Sequence, residues 1–111
     1  MSLIIRLLIS TLAVLVAANI VPGVQVDGTV TAVIVAVVLA FLNTFIRPVL
    51  QILALPITIL TLGLFYFVIN VLMIFLAAYL VDGFAVDGFI AALFFGLIMT
   101  VVSSVLGMFL D

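Results

Sequence analysis

Long apolar runs, separated by short polar turns, make up most of the chain. The runs 3–21, 29–46 and 89–110 each contain about 20 residues, and Arg6 is the single charged residue among them. A transmembrane helix needs about 17–25 predominantly apolar residues. We therefore predict a membrane-spanning helix in each of these three runs.

A fourth apolar stretch, 48–81, has an unsuitable length for either one span or two. A single helix of this length would measure about 50 Å at about 1.5 Å per residue, whereas the hydrocarbon core of a bilayer is about 30 Å thick. Pro56 and Gly63 interrupt the stretch, and proline discourages a continuous helix. We predict a third span at 64–81, preceded by a short segment at 48–62 that is interfacial or re-entrant.

An internal repeat relates the two halves of the chain. Val26-Asp27-Gly28 recurs as Val86-Asp87-Gly88 at an offset of 60 residues, and Ala17-Ala18 recurs as Ala77-Ala78. The repeat predicts that each half is a helical hairpin with a polar turn, because Asp and Gly favour turn geometry. The predicted fold is a single all-α integral membrane domain over 1–111: four transmembrane helices as two tandem hairpins, plus the short segment. A metal or proton site at the acidic turns is the alternative reading of their Asp residues.

Composition agrees with a membrane protein and excludes several classes of function. The chain is 71% hydrophobic and 5% charged, with a mean hydropathy of +1.88, whereas soluble domains contain about 25% charged residues. The charged residues are Arg6, Arg47, Asp27, Asp82, Asp87 and Asp111. This set gives no basic patch for nucleic acid. Without His or Cys the usual zinc, haem and iron–sulfur ligands are missing, so we expect neither a cofactor nor an enzyme.

The few charges also predict an orientation. With four spans, Arg6 and Arg47 fall on one side of the membrane, and the Asp residues of the turns fall on the other. The positive-inside rule then puts both termini in the cytoplasm. The two halves would be parallel repeats, related by an axis along the membrane normal. None of the predicted spans contains a deeply placed ionisable residue, which argues against a proton-coupled transporter.

Two stripes of small residues follow one face of the second and fourth spans. They comprise Ala32, Ala36 and Ala40 in one helix and Ala92, Gly96, Thr100, Ser103 and Gly107 in the other. Small residues allow helix backbones to approach closely in lipid. We predict helix packing through these stripes, within the chain or between copies. A weakly polar pore lining is the alternative, although selectivity filters generally use charged rings or ordered carbonyls.

Three polar residues are expected to act inside or beside the spans. Asn43 and Asn70 are predicted to form interhelical hydrogen bonds, because a buried amide is costly without a partner. Arg47, just before Pro48, is predicted to reach the cytoplasmic headgroups as a topology anchor. It is alternatively a contact to a lipid phosphate or to a partner.

The central part of the chain resembles a known family. The resemblance is carried by Asn43, Arg47-Pro48, Pro56, Thr58, Thr61, Gly63-Leu64 and Asn70. Together with the Gly-Phe-x-Val turn at 83–86, these residues are similar to the bacterial four-transmembrane phage-holin-like family, holin superfamily IV. The holin name implies small proteins that oligomerise and permeabilise the cytoplasmic membrane, although many relatives have no known function. In one departure, this chain ends in Met-Phe-Leu-Asp111, whereas many holins have a strongly charged tail.

These observations favour a small non-enzymatic protein of the bacterial cytoplasmic membrane, structural or accessory, which acts alone or as a subunit of a larger complex. A holin-like oligomeric pore former is the alternative, and a lipid or small-solute channel that uses residues 47–63 is a third hypothesis. The expected partners are membrane lipids and either further copies of the chain or other membrane subunits.

Overall fold

The architecture is that of a computed structural model that describes residues 2–110, so Met1 and Asp111 lie outside the described residues. In chain order, its elements are α1 (Leu3–Ile20), β1 (Val24–Val26), α2 (Gly28–Phe41), a π-helical turn (Leu42–Ile46), α3 (Arg47–Leu53), α4 (Leu55–Leu60), α5 (Phe65–Leu80), β2 (Phe84–Val86) and α6 (Phe89–Leu110). The protein is therefore mostly helical, as the sequence predicts.

Three helices are long and apolar enough to cross a bilayer. They are Leu3–Ile20, Phe89–Leu110 and the continuous run Gly28–Leu53, which joins α2, the π turn and α3. The fourth apolar helix, α5, is shorter at 16 residues. At about 1.5 Å per residue α5 measures about 24 Å, close to the thickness of a thin hydrocarbon core.

The second long helix continues beyond the predicted end of its span. The predicted span ends at residue 46, whereas the chain stays helical through Leu53, with a π turn before Pro48. A proline lacks a backbone N–H and crowds the carbonyl one turn earlier, and a wider turn accommodates both effects. The segment predicted as interfacial or re-entrant thus consists of α3, which extends the long helix, and the short helix α4, after which Leu62 and Gly63 turn the chain with positive φ angles.

The two acidic turns pair with each other in a short antiparallel sheet. Gln25 of β1 lies opposite Ala85 of β2, its equivalent at the offset of 60 residues. Two further backbone bonds extend the pairing, from Asp27 N to the Gly83 carbonyl at 2.9 Å and from Asp87 N to the Gly23 carbonyl at 2.7 Å. Both turns therefore lie at the same end of the molecule. The sequence interpretation treated them as plain turns in an all-α fold, so this sheet is a difference from it.

The three long helices and α5 form a four-helix bundle with one apolar core. Helix α1 packs against α2 and α6, and α5 packs against the same two helices. Each helix contributes a fully buried side chain to the core: Val14, Val35, Met73 and Phe95. The order of buried and exposed positions over residues 9–20 is identical to that over 69–80. The repeat in the sequence is therefore a repeat in packing as well.

Large apolar side chains also cover the outside of the bundle. One large apolar side chain from each helix of the bundle illustrates this exposure: Leu8, Val37, Leu72 and Val101. In water such a surface would be a large apolar patch of the kind that drives association. In a bilayer it faces lipid chains of the same polarity.

Candidate functional site

A polar cleft opens in the half of the bundle opposite the paired turns. We call it the Arg47 cleft; its volume is about 310 Å³. Its polar lining residues are Ser10, Asn43, Arg47, Asn70, Thr100, Ser103 and Ser104. They come from α1, from the long helix Gly28–Leu53, from the first half of α5 and from the second half of α6. The cleft thus brings together residues that are far apart in the sequence.

A hydrogen bond between Arg47 and Asn70 lies in this cleft. The Arg47 Nη2 donates to the Asn70 Oδ1 over 2.6 Å. Arg47 is half-buried, and its Nε is buried without a hydrogen-bond partner among the described residues. The guanidinium of Arg47 thus bonds to an amide of a neighbouring helix, and its contact with the headgroups stays a prediction. The same bond gives Asn70 an interhelical partner.

The π turn determines where Arg47 lies on the helix. The Arg47 N–H bonds to the Leu42 carbonyl, five residues earlier, rather than to the carbonyl of Asn43. One residue is thereby added to the turn, and the helix that follows is rotated relative to an uninterrupted α-helix. Such single π turns often occur at functional sites. Pro48 thus accounts for the local geometry that places the guanidinium beside Asn70.

Gly96 makes room for the amide of Asn70. A Cβ atom built on Gly96 would overlap the Asn70 Nδ2 and would lie 3.1 Å from the Ile74 Cδ1. The glycine of the small-residue stripe therefore allows α6 to approach the polar side chain on α5. This is close packing within one chain, of the kind that small residues allow in membrane helices.

The two small-residue stripes divide into a packed part and an open part. Ala32, Ala36 and Ala92 are fully or almost fully buried in the core, and Gly96 is also buried. The members further from the paired turns are more open: Ala40 and Thr100 are exposed, and Ser103 and Gly107 are half-buried. Ala40, Thr100 and Ser103 line the Arg47 cleft. Each stripe therefore runs from the apolar core, where its residues are buried, to the Arg47 cleft, where they are more open.

The polar side chains that line the cleft differ in whether they form hydrogen bonds within the protein. The Thr100 Oγ1 donates to the Gly96 carbonyl over 2.9 Å, within its own helix. The side chains of Ser10, Ser103 and Asn43 form no hydrogen bond with any of residues 2–110. These groups remain available to a ligand or to water.

The acidic turns offer less to a ligand. Asp27 and Asp87 are exposed, and the Asp27 side chain does not cap α2. Among the described residues, no group of three or more Asp, Glu, His or Cys side chains is close enough to hold a metal ion. The turn residues are instead engaged through their backbone groups in the paired strands.

Comparison with known proteins gives one family and two curated relatives. The family described as "Mycobacterial 4 TMS phage holin, superfamily IV" matches residues 1–105. "Uncharacterized protein SCO3922" of Streptomyces coelicolor is 42% identical over 88 residues, covering 76% of this chain and 70% of that protein. "Uncharacterized membrane protein YvlD" of Bacillus subtilis is 34% identical over 98 residues, covering 87% of this chain and 82% of that protein. No solved structure gave a significant match.

Proposed function

We propose that this chain, which belongs to the four-transmembrane phage holin family of superfamily IV, is a non-enzymatic accessory protein of the bacterial cytoplasmic membrane. It would act by binding other membrane components rather than by transporting a solute itself. Neither the family description nor the names of the relatives contains an enzymatic activity.

The observation that carries this proposal is the filled core of the bundle. Val14, Val35, Met73 and Phe95 meet there from four helices, and each is completely or almost completely inaccessible to solvent. Side chains packed in this way leave no room for a water-filled path. The Arg47 cleft enters the bundle from one end, and the core lies between it and the paired turns. A single copy of this fold would therefore bind at the cleft without conducting.

The finer architecture is part of the proposal. We infer two tandem helical hairpins, related by an axis along the membrane normal, with both termini in the cytoplasm. The pairing of Gln25 with its repeat equivalent Ala85 supports this symmetry. The positions of Arg6 and Arg47 at the end away from the acidic turns support the orientation under the positive-inside rule.

A holin-like pore former is the second candidate, and the family description favours it. Since the core of one copy is filled, such a pore would have to form between copies. The small and weakly polar residues that remain open, Ala40, Thr100 and Ser103, would then belong to its lining.

Purification from the native membrane separates these candidates. The tagged full-length chain is extracted in mild detergent, and the intact complex is weighed. The accessory proposal predicts a complex that contains other membrane subunits in a fixed ratio. A large homo-oligomer or ring that contains this chain alone would contradict it and would support the pore former. A matched tagged control, an unrelated small membrane protein, identifies proteins that bind to the tag or to the micelle.

A further inference from the structure

We propose that the Arg47 cleft is a binding site for one phosphate group, supplied by a phospholipid headgroup. The proposal does not depend on the accessory function. It rests on the donors that the cleft leaves unused, on its charge and on its opening.

The guanidinium of Arg47 has more hydrogen-bond donors than the protein uses. Asn70 accepts one hydrogen bond from Nη2, and Nε is buried without a partner among the described residues. A buried donor that lacks a partner destabilises the folded state. The guanidinium has five N–H groups in a planar fork that matches the oxygen atoms of a phosphate. A phosphate in the cleft would accept hydrogen bonds from the Nη donors of Arg47 that Asn70 leaves free.

The charge balance of the cleft also favours an anion. No carboxylate lies among the described residues of its lining. Asp27, Asp82 and Asp87 lie at or beside the paired turns, at the other end of the bundle. The positive charge of Arg47 therefore has no counter-charge from residues 2–110. In low-dielectric surroundings an anionic partner is stabilised more strongly than in water.

The neutral lining supplies further donors. The hydroxyls of Ser10 and Ser103 and the amide of Asn43 are free of protein hydrogen bonds within residues 2–110. The cleft volume of about 310 Å³ is several times the ~30 Å³ that one water molecule takes up in the liquid. It therefore accommodates a phosphate group with part of a glycerol backbone.

The opening of the cleft favours a lipid as the source of the phosphate. A second cavity of about 360 Å³ shares Ser10, Ala40 and Ser103 with the Arg47 cleft and continues between α1, α2 and α6. Its lining includes the apolar side chains of Leu3 and Leu7. A phosphate held at Arg47 would thus have an apolar surface beside it, on which an acyl chain can lie.

Native mass spectrometry of the full-length chain in detergent tests the proposal. The chain is titrated with phosphatidylglycerol, with the phosphate-free lipid diacylglycerol and with inorganic phosphate, each separately. We expect one saturable phosphatidylglycerol per chain and at least about tenfold weaker binding of diacylglycerol, since a tenfold change corresponds to about 1.4 kcal/mol. Equal binding of the two lipids would overturn the proposal. Displacement of phosphatidylglycerol by millimolar inorganic phosphate would overturn the lipid as the source and would leave free phosphate as the ligand.

Two arginine variants separate the cleft from general electrostatics. Arg47→Gln removes the guanidinium, and we expect at least about tenfold weaker phosphatidylglycerol binding, with partial recovery in Arg47→Lys because the charge returns. Asp82→Asn, added to Arg47→Gln, is the control: it restores the net charge of the chain at an exposed residue beside the paired turns, at the other end of the bundle. We expect phosphatidylglycerol binding to the double variant to stay at least about tenfold weaker than to the original chain, because a distant exposed charge is strongly screened. Recovery of binding in the double variant would overturn the site.

A further variant tests whether the ligand lies in the cleft if Arg47→Gln fails to fold. Ser103→Leu adds an apolar side chain to the lining of the cleft and leaves Arg47 unchanged; Ser103 is half-buried and lies outside the apolar core. Its helix content, measured by circular dichroism, should match that of the original chain. We expect phosphatidylglycerol binding to fall about tenfold, and unaltered binding in this folded variant would contradict a ligand in the cleft.

Discussion

Arg47 and Asn70, which are 23 residues apart in the chain, are joined by a hydrogen bond of 2.6 Å from Nη2 to Oδ1. The bond connects the end of the long helix Gly28–Leu53 with the first half of α5. In apolar surroundings an amide oxygen is a scarce acceptor, so this bond stabilises both side chains at once. It fixes the guanidinium at the wall of the cleft rather than at the surface of the bundle.

Removing the amide from this pair should destabilise the fold. We expect Asn70→Ala to lower the free energy of unfolding in detergent micelles by about 1–2 kcal/mol, the range for interhelical hydrogen bonds and for bonds to charged groups. Unfolding is followed by circular dichroism.

The control for Asn70→Ala is Asn19→Ala. The amide of Asn19 is exposed and donates to the Leu15 carbonyl within its own helix, over 2.9 Å. We expect Asn19→Ala to change the free energy of unfolding by no more than about 0.5 kcal/mol, as surface substitutions generally do. Equal effects of the two substitutions would show that the Arg47–Asn70 bond contributes no stability of its own.

Gly96 and Asn70 should be energetically coupled. A methyl group at Gly96 overlaps the Asn70 amide, so we expect Gly96→Ala to destabilise the protein by about 1–3 kcal/mol, the usual cost of overpacking. In a chain that already carries Asn70→Ala, the added methyl group has space. Gly96→Ala should then lower the free energy of unfolding by less than it does in the original chain. A double-mutant cycle measures the coupling. Additive effects would contradict the contact.

Pairing of the turns should allow a disulfide to form between the two halves. The natural chain contains no cysteine. Gln25 and Ala85 lie directly opposite each other in the antiparallel pair, and such positions are about 4.5–5.5 Å apart between Cα atoms, within the range of a disulfide. We expect the double variant Gln25→Cys with Ala85→Cys to form an intramolecular disulfide on mild oxidation, visible as a mass loss of about two hydrogens at the monomer mass.

A second cysteine pair tests the specificity of this disulfide. Gln25→Cys with Leu62→Cys combines the same turn with an exposed residue of the turn before α5, and it should stay reduced under the same conditions. An arrangement with the two acidic turns on opposite sides of the membrane would leave both pairs reduced, and that result would contradict the parallel repeat.

Two glycines with similar backbone angles should respond differently to alanine. Gly23 and Gly28 have φ angles of +89° and +85°, so a side chain at either position is strained. A Cβ at Gly23 would lie 3.2 Å from the Asp87 Cβ, whereas a Cβ at Gly28 would meet nothing within 4 Å. We expect Gly28→Ala to lower the free energy of unfolding by about 1–2 kcal/mol through backbone strain. Gly23→Ala should lower it further, because its Cβ is also crowded by Asp87. Equal unfolding free energies would argue against close pairing of the turns.

The helices are the part of the fold that the sequence predicts best. The apolar run 89–110 coincides with the helix α6, and the runs 3–21 and 64–81 lie within one residue of the helices α1 and α5 at each end. That these helices are membrane spans with these bounds stays a prediction. Long uninterrupted apolar runs carry enough periodic signal to locate such helices. The offset of 60 residues that relates the turns also relates the packed positions, because equivalent helices bury equivalent faces.

The Arg47 cleft could not be predicted in the same way. The β1–β2 pairing involves three-residue strands, too short to show the alternation that identifies a strand. The π turn depends on how the chain accommodates Pro48, and a proline at that place is equally compatible with a break. An arginine at the end of an apolar run is expected to reach outwards. The Arg47 guanidinium instead bonds to Asn70, for which Gly96 makes room, and only the tertiary fold brings these three residues together.

The central claim, a closed bundle that binds without conducting, is tested most directly by reconstitution into liposomes. The purified full-length chain is incorporated at increasing protein-to-lipid ratios, and the decay of a potassium diffusion potential is followed with a voltage-sensitive dye. Gramicidin liposomes provide the positive control, and protein-free liposomes provide the baseline. The account predicts that the potential decays at the baseline rate at every ratio. A collapse of the potential that steepens with protein concentration would contradict it and would establish an oligomeric pore.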